Sequence, residues 1–189
     1  MPSAFLCPLL VPSALRAPAP VNLSVRLSSD NRHNHSLGLM REYLRLFFER
    51  DPDGTGELFA EVAMESFSGV SSAWFGEREL SEFANELIHR FPLPQSAVEL
   101  KGGFWSKNGA TIEQLHVGIA FYPIGSTGLI GCHVQLAKPL HRDDRPQQQS
   151  MVAVELETSY EQLRLFGQEL LALAHGECQE ATLGKEKNA

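Results

Sequence analysis

The chain has 189 residues, long enough to bury roughly 70% of its unfolded surface and to build a core without disulfides or metal. Hydrophobic residues at 43% and charged residues at 21% exclude wholesale disorder and a fibrous architecture. A formal net charge of -7 disfavours the broad Lys/Arg surface that nucleic-acid binding needs, so a basic partner fits better than an anionic one.

The amino-terminal stretch Met1 to Pro20 is rich in Ala, Leu and Pro, has no acidic residue and carries only Arg16. It has the superficial look of an export signal, but Pro8 and Pro12 break the apolar segment before any charge occurs. We read it as a disordered or non-native extension, with Met40 as an alternative start. No run approaches the ~18 consecutive apolar residues a membrane span requires. The cysteines Cys7, Cys132 and Cys178 are odd in number, far apart and without C-x-x-C spacing. Neither a disulfide framework nor a zinc site follows, and a reducing, cytoplasmic location is expected.

Val21, Leu23, Val25 and Leu27 alternate with polar residues, which is the period of a half-buried strand and places the start of the fold near Val21. A polar linker, Asp30 to Ser36, precedes a second alternation in which Leu44, Leu46 and Phe48 interleave with Tyr43, Arg45 and Phe47. The run Asp51-Pro52-Asp53-Gly54-Thr55-Gly56 is turn chemistry, so a hairpin is expected. Its return strand places Leu58, Ala60, Val62 and Met64 on one face, with Glu57, Phe59, Glu61 and Glu65 on a face expected to meet water. Leu80, Phe83, Ala84, Leu87, Ile88 and Phe91 then form the apolar stripe of an amphipathic helix ended by Pro92 and Pro94.

From Val98 and Leu100 the period returns to two, through Leu115 to Phe121 and Ile130 to Leu136. Lys138 to Ser150 is polar and rich in Pro, Asp and Gln, and is read as an exposed loop. Val152, Val154 and Leu156 give another strand. Thr158-Ser159-Tyr160-Glu161 opens a second helix that runs to Ala174 and stops at Gly176. The domain is expected to span residues 21 to 176, followed by a flexible tail, 177 to 189. Strands and helices do not alternate as βαβ units. The expected class is therefore α+β: a meandering, mainly antiparallel sheet with two amphipathic helices on one face.

Chemistry-bearing residues are sparse. His116 and His133 are placed by period on the polar face of neighbouring strands, but a third ligand is missing, so no metal or cofactor is assigned. Cys132 points away from His133 if strand alternation holds, which makes it a core residue. His141-Arg142-Asp143-Asp144-Arg145 reads as solvated loop charge, and His33 and His35 lie in the polar linker without a phosphate cradle or catalytic motif. No catalytic residue is assigned.

Glu77, Glu79, Glu82 and Glu86 ride on the first helix away from its stripe. They suit either a solvated face favoured by the helix dipole or a docking surface for a basic partner. Trp74-Phe75 and Phe104-Trp105 are read as interface anchors or as lids on the core. The candidate partner-binding set is thus Glu77, Glu79, Glu82, Glu86, Trp74 and Trp105.

Phe67-Ser68-Gly69 with Ala73-Trp74, the helix Leu80 to Phe91, the hairpin around Gly128 and the Thr158-Ser159-Tyr160 helix together resemble the WapI-type immunity protein family, over about Glu42 to Ala174. The resemblance implies a small cytoplasmic bacterial protein that protects a cell by binding the toxic domain of a contact-delivered toxin, often a nuclease. Such inhibitors carry no catalytic residues, and if the resemblance holds the acidic helix surface would meet a basic nuclease face. The alternatives are a ligand-binding domain or small enzyme using the polar sheet face around His116 and His133, and an adaptor module whose partner is not a toxin.

Overall fold

The structure, a computed structural model, describes residues 41–141 and 143–186. The alternation at Val21 to Leu27, His33, His35, Cys7 and Arg142 lie outside the described residues. The elements run β1 (Arg41–Arg50), β2 (Thr55–Met64), β3 (Phe67–Gly76), α1 (Glu77–His89), β4 (Val98–Trp105), β5 (Ile112–Ile124), β6 (Leu129–Ala137), β7 (Met151–Ser159), α2 (Tyr160–His175) and β8 (Ala181–Glu186), with a short 3-10 turn at Pro146–Gln148. The class is α+β and every strand pairing is antiparallel.

The strands divide between two four-stranded sheets rather than forming one meander: sheet A, in the order β3-β2-β1-β8, and sheet B, in the order β4-β5-β6-β7. Between β3 and β4 the chain passes through α1, and the two strands meet face to face instead of edge to edge. A Cβ added at Gly102 of β4 would fall 2.4 Å from the Phe75 ring and 2.7 Å from Ala73 Cβ, and one at Gly69 of β3 would fall 2.5 Å from Val152 of β7. Only glycine permits so close an approach. The buried Ser71 hydroxyl donates to the Ala137 carbonyl at 2.8 Å, pinning β3 to the end of β6.

The β1–β2 turn forms as its composition dictates. Asp53 Oδ1 accepts from Thr55 N at 3.0 Å and from its hydroxyl at 2.7 Å, which holds the Asp53 carboxyl below its ordinary pKa. At the start of α2 the Ser159 side chain accepts from Gln162 N, and Gly176 closes the helix at φ 74 with its N–H bonded to Leu173 O. The first helix begins three residues before its apolar stripe, because Glu77 N–H donates to the Gly54 carbonyl at 2.9 Å. Phe91 packs edge-on against the Tyr160 ring, and the Tyr160 hydroxyl accepts from Leu93 N at 3.0 Å, so the segment after α1 is tied to the head of α2.

One hydrophobic cluster joins both sheets and both helices. Phe121 of β5 lies 6.2 Å from Phe83 of α1 and 6.0 Å from Phe166 of α2, ring centroid to centroid. Two elements depart from the sequence reading. Phe67–Gly76 is a full strand, and the carboxy-terminal segment expected to be a flexible tail supplies β8, which buries Ala181 and Leu183 against β1.

Candidate functional site

The four glutamates on α1 stand on its solvent side, and three already face a cation. Glu77 pairs with Arg50 at 2.7 Å, Glu82 with Arg78 at 2.7 Å and Glu86 with Arg90 at 2.6 Å. Desolvation raises the Glu79 carboxyl above its ordinary pKa, against a lowering bond from the Gly76 backbone. The exposed side of α1 is therefore a stripe of alternating charge. Trp105 closes β4, away from this stripe in the chain. Phe104 beside it lays its ring edge-on against His116 at 4.5 Å. Trp74 sits on β3 in a different setting, the solvent face of sheet A.

Beyond a row of Gly184, Tyr43, Ala63 and Ser68, in which Tyr43 and Ala63 are buried, strand register sets three further transverse rows on that face. Thr182, Arg45, Glu61 and Val70 form the first, Phe47, Phe59 and Ser72 the second, and Glu49, Glu57 and Trp74 the third. The inner-facing residues Leu44, Leu46, Leu58, Ala60, Val62, Ala73 and Phe75 are buried, so period two turns these rows outward. Val70 is 67% and Trp74 60% exposed, while Phe47 and Phe59 are half-buried beside them. A shallow depression of about 310 Å³ lies over Phe47, Phe59 and Val70, bordered by Glu49 and Glu61. Phe59 and Val70 also border a second cleft of about 450 Å³, whose far wall is Leu136, Met151 and Val152 of sheet B with Pro139 of the β6–β7 loop. Aromatic and aliphatic side chains of β1, β2, β3 and β7 thus border two adjoining depressions, the second lined also by Ser68, Ser72, Lys138 and Ser150.

The polar groups of this face are unequally satisfied. Glu61 accepts from the Tyr43 hydroxyl at 2.7 Å and faces Arg45 Nη1 at 3.8 Å, and the Arg45 guanidinium covers the Tyr43 ring at 4.9 Å. Glu57 accepts from the Ser72 hydroxyl at 2.6 Å. Glu49 is exposed and lies directly opposite Glu57 in the ladder, a like-charge pair. Such pairs destabilise a sheet.

The paired-histidine surface expected from strand period does not form. The β4–β5 register shifts between Gly102 and Gly103, leaving His116 as an extra residue between Leu115, opposite Gly103, and Val117, opposite Gly102. Leu115 takes the outer side, where its Cδ2 would lie 2.9 Å from a Gly118 Cβ, and His116 turns inward to 4% exposure. Its Nε2 lies 2.8 Å from Gln114 Oε1, which also accepts from Leu140 N at 2.7 Å, while Gln114 Nε2 donates to the Leu140 carbonyl at 3.2 Å. An amide oxygen can only accept, so His116 Nε2 is the donor in this bond. Desolvation lowers the His116 pKa.

His133 remains on the outer face of sheet B, between Ala120 and Glu155. The Tyr122 hydroxyl donates to Glu155 in a close contact, which pushes the Tyr122 pKa up to about 12. Cys132 is fully buried and its thiol pKa is raised by desolvation. His141 and Asp144 are exposed and close a local loop through the His141 N–H and the Asp144 carboxylate at 2.9 Å. Among the described residues no group of three or more His, Cys, Asp or Glu side chains could hold a metal ion, and no helix is long and apolar enough to cross a membrane.

Phe47, Phe59, Val70 and Met151 are not singled out by sequence reasoning. The signal available is Phe59 set between Glu57 and Glu61 on a face otherwise reading as wet. Compared with family models, with curated proteins and with solved structures, the chain matches none.

Proposed function

We propose that this chain is a non-catalytic binding protein, and within that class an immunity protein that neutralises a toxin domain by direct contact. The observation that carries the reading is the solvent face of sheet A. An antiparallel sheet with one face on the core ordinarily turns polar residues outward. Here Phe47, Phe59, Val70 and Trp74 gather on that outer face and continue to Met151, which is 60% exposed. Contiguous apolar surface rimmed by polar groups marks interaction sites, and Trp and Phe are the side chains that anchor them. The sequence resemblance to WapI-type immunity proteins supplies the finer statement that the partner is a toxin.

The test is a tagged full chain, used to capture its partner from cells of its source, followed by expression of the partner with and without the chain. Growth arrest by the partner alone, relieved on coexpression with formation of a stable complex, is the expected result. A captured partner that harms no cell removes the toxin and leaves a binding module. Persistent arrest despite a stable complex removes neutralisation.

A further inference from the structure

We infer that the solvent face of sheet A is the partner-docking surface, and that its occupant is a basic protein surface presenting an arginine or lysine across Phe47 and Phe59 to Glu49 and Glu57. This assignment rests on the reading of the chain as a binding protein and gives that reading its interface.

Three features identify the occupant. The first is geometric: Phe47 and Phe59 are directly opposite in the β1–β2 ladder, and the next row along the same strands is Glu49 opposite Glu57. A long cationic side chain lying along the strands would rest its apolar stem on the rings and end at the carboxylates, with the ring faces themselves attracting the charge. The second is electrostatic. Glu49 and Glu57 repel one another across the ladder, and covering them with any neutral surface would strengthen that repulsion by excluding water. A cation placed between them converts the cost into attraction.

The third feature excludes a second copy of this chain as occupant. On this face Glu49, Glu57 and Glu61 stand against Arg45, which already faces Glu61 and Glu180 at 3.8 Å each. Two such faces brought together would oppose carboxylate with carboxylate. A basic partner gains from Glu49 and Glu57, and the chain's net charge of -7 steers it inward from a distance. The α1 stripe offers less, because Glu77, Glu82 and Glu86 each face an arginine of the same chain.

The test is a titration of the full chain, followed by backbone amide NMR shifts, with a short peptide of alternating arginine and leucine and with its glutamate-for-arginine counterpart. The arginine peptide is expected to shift amides of β1, β2 and β3 and to bind about tenfold more tightly than the glutamate peptide, the scale of a close interfacial charge pair. Glu49→Lys and Val70→Asp, both at exposed positions, are each expected to weaken it several-fold while the chain stays folded, Glu49→Lys melting no lower than the wild type because it removes the like-charge pair with Glu57. Shifts centred on α1, equal binding of both peptides, absence of saturable binding, or concentration-dependent self-association through the same amides would overturn the assignment. A chain that neutralises a captured toxin undiminished after both substitutions sinks this interface and spares the functional reading. One that takes the arginine peptide on sheet A yet neutralises nothing does the reverse.

Discussion

Between Gly102 and Gly103 the β4–β5 ladder slips by one residue, and the consequence falls on His116. A single-residue slip sends a side chain to the opposite face of its sheet. The histidine that period two places in water is instead buried and donates to Gln114, which clamps Leu140 from both its N–H and its carbonyl. Two outcomes follow at this scale. Because burial lowers the folded pKa of His116, the unfolded chain takes up its proton first as pH falls below about 6.5. The stability contributed by the neutral ring is complete above that pH and is lost as pH falls towards the folded pKa, by at most about 1.4 kcal/mol per pH unit. Urea unfolding at about pH 7.5 and 5.5 should therefore show a larger loss for the wild type than for His116→Gln, whose side chain does not titrate; equal losses would contradict the buried neutral ring. Separately, Gln114→Ala leaves the buried His116 ring and the partly buried backbone groups of Leu140 without this partner and should cost about 1–3 kcal/mol. Hydrogen exchange at the Leu140 amide should rise in step.

Elements with a strict two-residue or helical period are legible in the sequence, and those built from small residues are not. The strands β1, β2, β5, β6 and β7 and both helices carry large apolar side chains at the expected spacing. β3 shows only Phe75 at an inner position, since Gly69, Ser71 and Ala73 before it are small where β3 packs face-on against sheet B. β8 is short and holds Gly184, so only its partner β1 reveals it as a strand. The docking face is hidden for a related reason: Phe47, Phe59 and Val70 come from three strands and become neighbours only through register. Two substitutions probe these element-level contacts. Gly167 of α2 lies where an added Cβ would meet Ala84 O at 3.1 Å and Leu87 Cβ at 3.2 Å on α1. A branched side chain must push the helices apart, so Gly167→Val should destabilise by about 1–3 kcal/mol in denaturant unfolding, as overpacking does. Leu183 is 2% exposed on β8, and Leu183→Ala should cost about 2–5 kcal/mol; a loss under about 0.5 would mean that β8 does not seal the core of sheet A.

At the scale of the molecule the question is whether two sheets make one cooperative unit. The cluster of buried side chains crosses from Leu44, Leu58 and Leu183 in sheet A through Phe83 and Phe166 in the helices to Phe121 and Val134 in sheet B without a break. Gly102 and Gly69 hold β3 against β4 and β7, and Ser71 bonds across to Ala137, so sheet A cannot open without uncovering sheet B. Domains of this size with a single core unfold in one transition as a rule. Each sheet supplies its own reporter, because the two tryptophans are divided between them: Trp74 on β3 and Trp105 on β4, both about half exposed and so replaceable at little cost to packing. Urea curves followed by Trp74 fluorescence in Trp105→Phe and by Trp105 fluorescence in Trp74→Phe should superimpose in midpoint and slope. If the Trp74 signal is lost at lower denaturant, the sheets are separate units joined by α1. The proposed docking face would then belong to a half that loosens first, and partner binding would stabilise that half alone.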